Sequence, residues 1–277
     1  MFEVYSGILK MTESFRDDGM DISIRYLVDA DYSALCESYP LKEIAGTEKN
    51  DFRKALNVLN WLSTNIYHYG NYDNHVTNTA MELLDYAFGR GEANGINCRS
   101  LSFALTECLL AIGIKARTVY IMPFSPYDFD NHVVCEAWIS DLNKWVMLDP
   151  TYNLYVSFND VPLTIYELRG LLANHEEVAY SEGANYNGTP INTDEITEYY
   201  AKDLFRFMVS DIQGTNSEAM AERRAIHIAP YGYEVKQQVL AHIDYRINKW
   251  GNNENLQAWR TEAESDNLIY KGLDILY

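Results

Sequence analysis

The stretch NCRSLSFALTECLLAIGIKAR, residues 97–117, decides the fold because it combines a helix start, a buried helix and a helix stop. Asn97 favours the N-cap position, which places Cys98 in the first helical turn. Over residues 99–112 the apolar side chains cover most of the helical circumference, as in a helix that is buried on nearly all sides. Gly113 is well placed to end the helix. We therefore predict a buried helix with a cysteine at its N-terminus.

The composition argues against several classes of partner. The chain has 277 residues, with 22 Lys and Arg against 40 Asp and Glu, a formal net charge of -18. This acidity opposes binding to nucleic acids and anionic membranes, so we expect neither as a partner. No apolar run approaches the roughly 20 residues of a membrane span, and residues 1–15 do not resemble a secretory signal. The four cysteines include no CxxC pair, so we expect reduced thiols in a cytoplasmic protein.

The segments around the buried helix predict a mixed α+β fold. Helical spacing predicts helices over residues 50–68, with Asp51 as candidate cap, and over residues 77–90. Alternation and β-branched residues predict strands over residues 116–123, 132–140 and 144–150, the last two forming an antiparallel hairpin. Other predictions are a strand-like alternation over 22–28, a helix from near Thr164, a loop over 174–193, a helix over 193–208, a strand over 225–230 and a helix over 232–251.

The predicted hairpin carries two polar residues at its open end. His132 begins the first strand and Asp149 ends the second, 17 residues later. If the turn centres between Leu142 and Asn143, Asp149 lies opposite Glu136, and both share a face with His132. Asp149 is still offset from His132 along the strand, so a bulge, a strong twist or a bend must bring the two together.

Cys98, His132 and Asp149 are the three residue types that a nucleophilic cysteine needs. Backbone N–H groups and the helix dipole at a helix N-terminus stabilise a thiolate, and the same amides can donate to an oxyanion. A histidine can take the thiol proton, and a carboxylate can fix the tautomer of that histidine. Each residue also has a structural alternative: Cys98 as a small core residue, His132 as a surface or core histidine, and Asp149 as a turn residue before Pro150.

Three segments taken together resemble the transglutaminase-like superfamily of papain-type thiol enzymes: INCRSLSFALTECLLAIGIKARTVY, NHVVCEAW and KWVMLDPTYN. The resemblance covers roughly residues 50–155. It implies a papain-like core in which the helix with Cys98 packs on an antiparallel sheet that carries His132 and Asp149. It also implies that these three residues are nucleophile, base and orienting carboxylate. Val134 departs from the family, which often has tryptophan there, and the hairpin turn is longer than in the shortest members. The shape of the substrate cleft is therefore open.

With this core, we predict two parts of the chain and a catalytic function. Residues 1–160 would form the core with N-terminal helices, and residues 161–277 an α+β extension packed on it. The predicted function is that of a cysteine peptidase, amidase or acyltransferase that attacks peptide or protein amides through a thioester. Two alternatives stay open: a non-catalytic peptide-binding module of the same fold, and a small-molecule acyltransferase of the arylamine N-acetyltransferase type. The sequence does not indicate an oligomeric state.

The remaining candidate residues have supporting or structural interpretations. We expect no cofactor and no metal, because the spacing of His68 and His75 fits no common zinc pattern. A second oxyanion donor is expected upstream of Cys98, with Tyr67, Asn74 and His75 as candidates. Core or structural positions are predicted for Cys108, Cys135, Glu136 and Arg117, the last as an ion-pair partner.

Overall fold

The computed structural model describes residues 1–47, 49–215, 223–265 and 267–277. Its helices are α1 (Phe2–Met11), α2 (Ser33–Ser38), α3 (Leu41–Ala45), α4 (Asp51–Asn65), α5 (Ala80–Ala87), α6 (Cys98–Ala111), α7 (Ile165–Ala173), α8 (Thr193–Asp203), α9 (Val235–Trp250) and α10 (Glu254–Glu264). Its strands are β1 (Arg25–Tyr26), β2 (Ala116–Met122), β3 (His132–Ile139), β4 (Lys144–Leu148), β5 (Val156–Phe158), β6 (Val161–Pro162), β7 (Ala179–Tyr180), β8 (Asn185–Tyr186), β9 (Thr189–Pro190), β10 (Arg206–Ser210), β11 (Ile212–Gln213), β12 (Ala225–Ile228) and β13 (Ile269–Tyr270). The mixed α+β fold class predicted from the sequence is confirmed.

A six-stranded sheet in the order β13-β12-β10-β2-β3-β4 organises the molecule. Neighbouring strands are antiparallel except β12 and β13, which are parallel. One face, which includes Cys135 and Leu148, packs with α4, α5 and α6. The other face, which includes Val134 and Met147, packs with α1, α7 and α8. Strands from before and after residue 160 therefore share one sheet, while the division into a core and an extension stays a prediction.

Helix α6 has the caps and the burial that the sequence predicts. The Asn97 side chain accepts a hydrogen bond from the Ser100 N–H at 3.1 Å, which satisfies a backbone donor of the first turn. Every residue from Ser100 to Leu110 is buried, so the helix runs through the core. Gly113 follows the helix with φ of +88°, a left-handed conformation that glycine adopts without a Cβ penalty.

The hairpin of β3 and β4 forms in a different register from the one predicted. Glu136 lies opposite Met147, so the expectation that it faces Asp149 is wrong by two residues. The turn is centred earlier because Ser140–Leu142 form a single 3-10 turn and Asn143 adopts a left-handed conformation with φ of 49°. A shift of two residues preserves the alternation of side chains, so Asp149 keeps the face of His132. Beyond β4, Asp149 forms a two-residue bridge with Leu154 that turns the chain back.

Several predicted boundaries change in the structure. The helix predicted over residues 193–208 ends at Asp203, and the strand β10 begins at Arg206 because β2 and β12 pair with both of its edges. The N-cap of α4 is Asn50, which accepts from the Arg53 N–H, rather than Asp51. The helix predicted from near Thr164 is confirmed as α7. Within the strand-like segment 22–28, only the two residues of β1 form a strand, and α10 was not predicted.

In the described part of the chain, none of the helices has the length and apolarity needed to cross a membrane.

Candidate active site

Cys98 occupies the first position of α6, is partly exposed as a residue and lines a cleft. Burial alone raises the pKa of the Cys98 thiol. Hydrogen bonds from His132 and His68, together with the charges of both rings, outweigh burial and lower the pKa to about 6. A cysteine with such a pKa is largely thiolate at neutral pH, which is the reactive form.

His132 begins β3 and is 2% exposed. Its Nε2 lies 2.6 Å from Oδ2 of Asp149, which leaves Nδ1 as the nitrogen that faces Cys98. Burial lowers the pKa of His132, but the charge of Asp149, the hydrogen bond to it and the contact with Cys98 raise the pKa well above its ordinary value. The geometry therefore favours an imidazolium beside a thiolate.

Asp149 is fully buried and satisfied by three donors. Oδ2 accepts from His132 and from the Tyr200 hydroxyl at 2.7 Å, while Oδ1 accepts from the Thr151 N–H at 2.9 Å. Burial raises the pKa of this carboxyl, but the His132 charge and these hydrogen bonds lower it below the ordinary value. Asp149 is consequently ionised and held in one orientation.

The structure brings together the three residues that the sequence singled out, at the end of the sheet where its two helical layers meet. Cys98 begins α6, which packs on one face of the sheet. His132 and Asp149 lie at strand positions whose side chains point to the opposite face. The observed register reduces the offset of Asp149, because Leu148 lies opposite Cys135 and Asp149 therefore follows opposite Val134, next to His132 on the same face.

Sequence reasoning missed the tyrosines that surround His132. The rings of Tyr152, Tyr199 and Tyr200 lie with centroids 5.6, 5.4 and 6.2 Å from the His132 ring. Burial raises the pKa of Tyr200 well above its ordinary value, so its hydroxyl stays protonated and donates to Asp149. The contact joins residues 51 positions apart, and no local pattern signals it.

His68 lies in the polar loop that was expected to supply an oxyanion donor, but from the sequence this residue was considered only as a metal ligand. The His68 ring forms a hydrogen bond with the Cys98 thiol. Its Nδ1 lies 2.9 Å from the Tyr186 hydroxyl. The Asn187 side chain accepts from the His68 N–H at 2.8 Å and donates to its carbonyl at 3.1 Å. Two histidines therefore flank the thiol, and a hairpin formed by β8 and β9 holds one of them.

Of the three predicted candidates for a second oxyanion donor, Asn74 lines the cleft beside Cys98. It accepts from the Asn97 side chain at 3.0 Å. Tyr67 pairs through its backbone carbonyl with the Ile96 N–H, and His75 binds Asp73 at 2.5 Å on the surface.

A cleft of about 640 Å³ is lined by both Cys98 and His132. Residues from the two halves of the chain form its walls: the 68–74 segment, the residues before His132, and side chains of β10, β12 and α9. The C-terminal part therefore lines the cleft in which Cys98 lies.

The other cysteines and the predicted ion pair have structural positions. Cys108 and Cys135 are completely buried, and burial raises the pKa of both thiols. Arg117 and Glu136 form a buried ion pair with Nη2 and Oε2 2.7 Å apart, and Glu136 also accepts from the Ile165 N–H. The core positions of these residues and the ion-pair interpretation of Arg117 are confirmed.

Comparison with known proteins finds a family similarity over the N-terminal part. Residues 41–150 match the model of the family described as Transglutaminase-like superfamily, a segment that contains Cys98, His132 and Asp149. A search of curated proteins found no match. One solved structure, from Cytophaga hutchinsonii and described as a "Putative Cysteine Protease", is 21% identical with a TM-score of 0.32. The match covers 50% of this chain and 48% of that one, so the chain spans about half of that protein. Over residues 41–150 the chain is thus similar to the transglutaminase-like superfamily, as the three sequence segments predicted.

Proposed function

We propose that the protein is a cysteine enzyme that attacks the amide carbonyl of a peptide or protein substrate and forms a thioester intermediate. One observation carries the proposal: a partly exposed thiol at a helix N-terminus contacts a histidine that a buried carboxylate orients at 2.6 Å. In this proposal Cys98 is the nucleophile, His132 the acid and base, and Asp149 the orienting group.

The chemistry follows from these roles. The Cys98 thiolate attacks the carbonyl carbon, a sulfur–carbon bond forms, and the carbonyl oxygen becomes an oxyanion. The oxyanion collapses, the carbon–nitrogen bond breaks, and the departing amine takes the proton of His132. The thioester that remains is then attacked by water, which yields an acid, or by a second amine, which yields a new amide. In both cases His132 accepts the proton of the attacking group and the thiolate is released.

Two groups are placed to donate to the oxyanion. The backbone N–H groups of Cys98 and Arg99 in the first turn of α6 have no intrahelical acceptor, whereas that of Ser100 is bound by the Asn97 side chain. The second donor in this proposal is His68 rather than Tyr67, Asn74 or His75. When the Tyr186 hydroxyl donates to Nδ1 of His68, the ring proton resides on Nε2, which faces the thiol. The pKa of Tyr186 is raised by burial, which favours the protonated hydroxyl that this arrangement needs.

Alkylation of Cys98 by iodoacetamide as a function of pH tests the proposal. We expect the rate to rise through a midpoint near 6, because the thiolate is present above its pKa and lost below it. An ordinary thiol has a midpoint near ~8.5. Cys36 is a matched control in the same sample, since it is also free and partly exposed but does not line the cleft. The proposal fails if both thiols show the same profile, or if His132→Ala leaves the profile of Cys98 unchanged, and the chain is then better described as a peptide-binding module.

A second experiment separates hydrolysis from acyl transfer. A peptide library is incubated with the protein, with and without an added primary amine, and the products are identified by mass spectrometry. Transfer gives products that contain the amine, whereas hydrolysis gives the same free acids in both samples.

A further inference from the structure

The cleft beside Cys98 has a charge opposite to that of the molecule as a whole. The chain carries 40 acidic and 22 basic residues. Among the described residues that line the cleft, Arg99, Arg206, Arg246 and Lys249 are basic, and only the aspartates at positions 128 and 130 are acidic. Both aspartates lie at one end, where the Lys202 ammonium is within 3.5 and 3.1 Å of them.

Arg206 is the most deeply buried of these cations, being 2% exposed. Its Nε donates to Oε1 of Gln238 at 2.5 Å and its Nη2 donates to the same oxygen, but Nη1 has no hydrogen-bond partner. Burial lowers the pKa of Arg206 to about 10, and no carboxylate within the described ranges forms an ion pair with it. A buried charge without a counterion is strongly unfavourable unless another group neutralises it.

Arg117 shows how the same fold neutralises a buried guanidinium. That side chain is equally buried, but two of its nitrogens bind Oε2 of Glu136 at 3.0 and 2.7 Å, and its guanidinium lies over the Trp145 ring. Arg206 has a neutral amide where Arg117 has a carboxylate. The difference indicates that the counterion of Arg206 comes from outside the described chain.

Other unpartnered nitrogens face the same cleft. His227 is 3% exposed, and its Nδ1 has no hydrogen-bond partner in the described structure; the same holds for Nε of Arg99, the residue after Cys98. Burial and then the charge of Arg206 lower the pKa of His227 to about 3, so the ring is neutral.

The basic residues are also close enough to perturb one another. Burial and then the charges of Arg246 and Arg206 lower the pKa of His242 to about 4, so both cations lie close enough to this ring to affect its charge. The charge of Arg99 contributes to the lowered pKa of Arg246. Several like charges gathered without an anion form a site that is preorganised for one.

We propose that Arg206, Arg246 and Arg99 form an anion-binding subsite that receives a carboxylate of the peptide substrate. This inference rests on the proposed function, because it assigns the subsite to the same substrate whose amide reaches Cys98. A guanidinium binds a carboxylate through two parallel N–H groups, which suits the free edge of Arg206. The carboxylate is either an Asp or Glu side chain or the free C-terminus of the peptide. Short-range contacts in a buried site outweigh the long-range repulsion by the acidic surface, which salt screens beyond about 8 Å.

Peptide capture by the full chain carrying Cys98→Ser tests the subsite without requiring turnover. The probes are octapeptides of mixed sequence prepared in four matched forms: neutral with a C-terminal amide, one Glu in place of Gln, a free C-terminal carboxylate, and one phosphoserine. We expect at least about tenfold preference for one carboxylate form over the neutral form, equivalent to about 1.4 kcal/mol. The form that is enriched distinguishes a side-chain carboxylate from a C-terminal one.

Two variants in the Cys98→Ser background examine the cationic side chains. We expect Arg246→Gln, which changes a partly exposed residue, and Arg206→Met each to reduce the preference to less than about threefold. Arg224→Gln is the matched control, because Arg224 is 57% exposed in its side chain, pairs with Asp211 and does not line the cleft. Arg246→Gln keeps the test decisive if Arg206→Met does not fold.

The outcomes separate this inference from the proposed function. Equal capture of all four forms, no capture, preference for phosphoserine alone, or a preference that survives Arg246→Gln overturns the subsite. If the carboxylate preference holds while wild-type protein shows normal thiol reactivity and no turnover, the catalytic proposal fails and the subsite stands.

Discussion

Tyr200→Phe is the substitution that most directly tests how the buried carboxylate controls the thiol. It removes one of three donors to Asp149, the hydroxyl at 2.7 Å, and keeps the ring that packs in the core. A hydrogen bond to a charged group contributes about 1.5–3 kcal/mol, and one pKa unit corresponds to about 1.4 kcal/mol. The pKa of Asp149 is therefore expected to rise by about 1–2 units.

The effect on Cys98 is smaller because it passes through His132. Asp149 stays ionised near neutral pH, and without the Tyr200 hydroxyl its Oδ2 interacts with His132 alone, so the pKa of His132 rises and the imidazolium beside the thiolate is stabilised more. We expect the alkylation midpoint of Cys98 to fall by about 0.5–1 unit below its value of about 6. The measurement is the rate of iodoacetamide alkylation between pH 4 and pH 9, monitored by mass spectrometry of the peptide that contains Cys98.

Tyr180→Phe is the matched control. The Tyr180 hydroxyl contacts Thr197 at 2.7 Å and its ring stacks on that of Tyr200, but it makes no hydrogen bond to Asp149. Tyr200→Phe is expected to lose about 1.5–3 kcal/mol of unfolding free energy in urea and Tyr180→Phe about 0.5–1.5 kcal/mol, since each loses one hydrogen bond and only that of Tyr200 is to a charged group. Only Tyr200→Phe should change the alkylation midpoint. Equal midpoints in Tyr200→Phe, Tyr180→Phe and wild type would refute the coupling through the carboxylate.

Three further predictions concern the helix cap, the buried ion pair and the second histidine. Asn97→Ala should cost about 1 kcal/mol of unfolding free energy and Asn97→Asp much less, as measured in urea, because only Asp retains the cap; equal losses would contradict this. Arg117→Met should cost about 3–5 kcal/mol by leaving Glu136 buried and unpaired, and adding Glu136→Leu should recover part of the loss; no recovery would argue against the ion pair. His68→Phe should reduce turnover of a peptide substrate by about 10²–10³-fold through loss of an oxyanion donor; turnover within threefold of wild type would exclude that role.

The fold was predictable where one segment carries all of its own signals. In α6 the cap, the continuous apolar surface and the closing Gly113 lie within one stretch, and each acts locally. The strand β10 was not predicted, because the alternation of its apolar residues Phe207 and Val209 is too short to indicate a strand. The helical pattern that precedes it therefore continues to residue 208 in the sequence. Its conformation is set by pairing with β2 on one side and β12 on the other, and both partners are distant in sequence.

The same distinction applies to the site. Cys98, His132 and Asp149 could be proposed together because each stands at an end of a predictable element, the helix start or the open end of the hairpin. The predicted register of that hairpin was wrong by two residues. His68 and Tyr200 could not be placed, since one reaches the thiol from a loop and the other spans 51 positions to the carboxylate. A tyrosine in a helix gives no signal of such a contact in a chain that contains 22 tyrosines.

The contact between Tyr200 and Asp149 also has a consequence for the time at which the protein becomes reactive during its synthesis. Cys98 emerges from the ribosome roughly a hundred residues before the helix that carries Tyr200, and a domain generally folds as a unit. Until that helix has been made and has packed on the sheet, Asp149 lacks one donor and the cover that keeps water away from it. In the proposed mechanism, the nucleophile therefore acquires its complete set of partners only after the C-terminal part has been made.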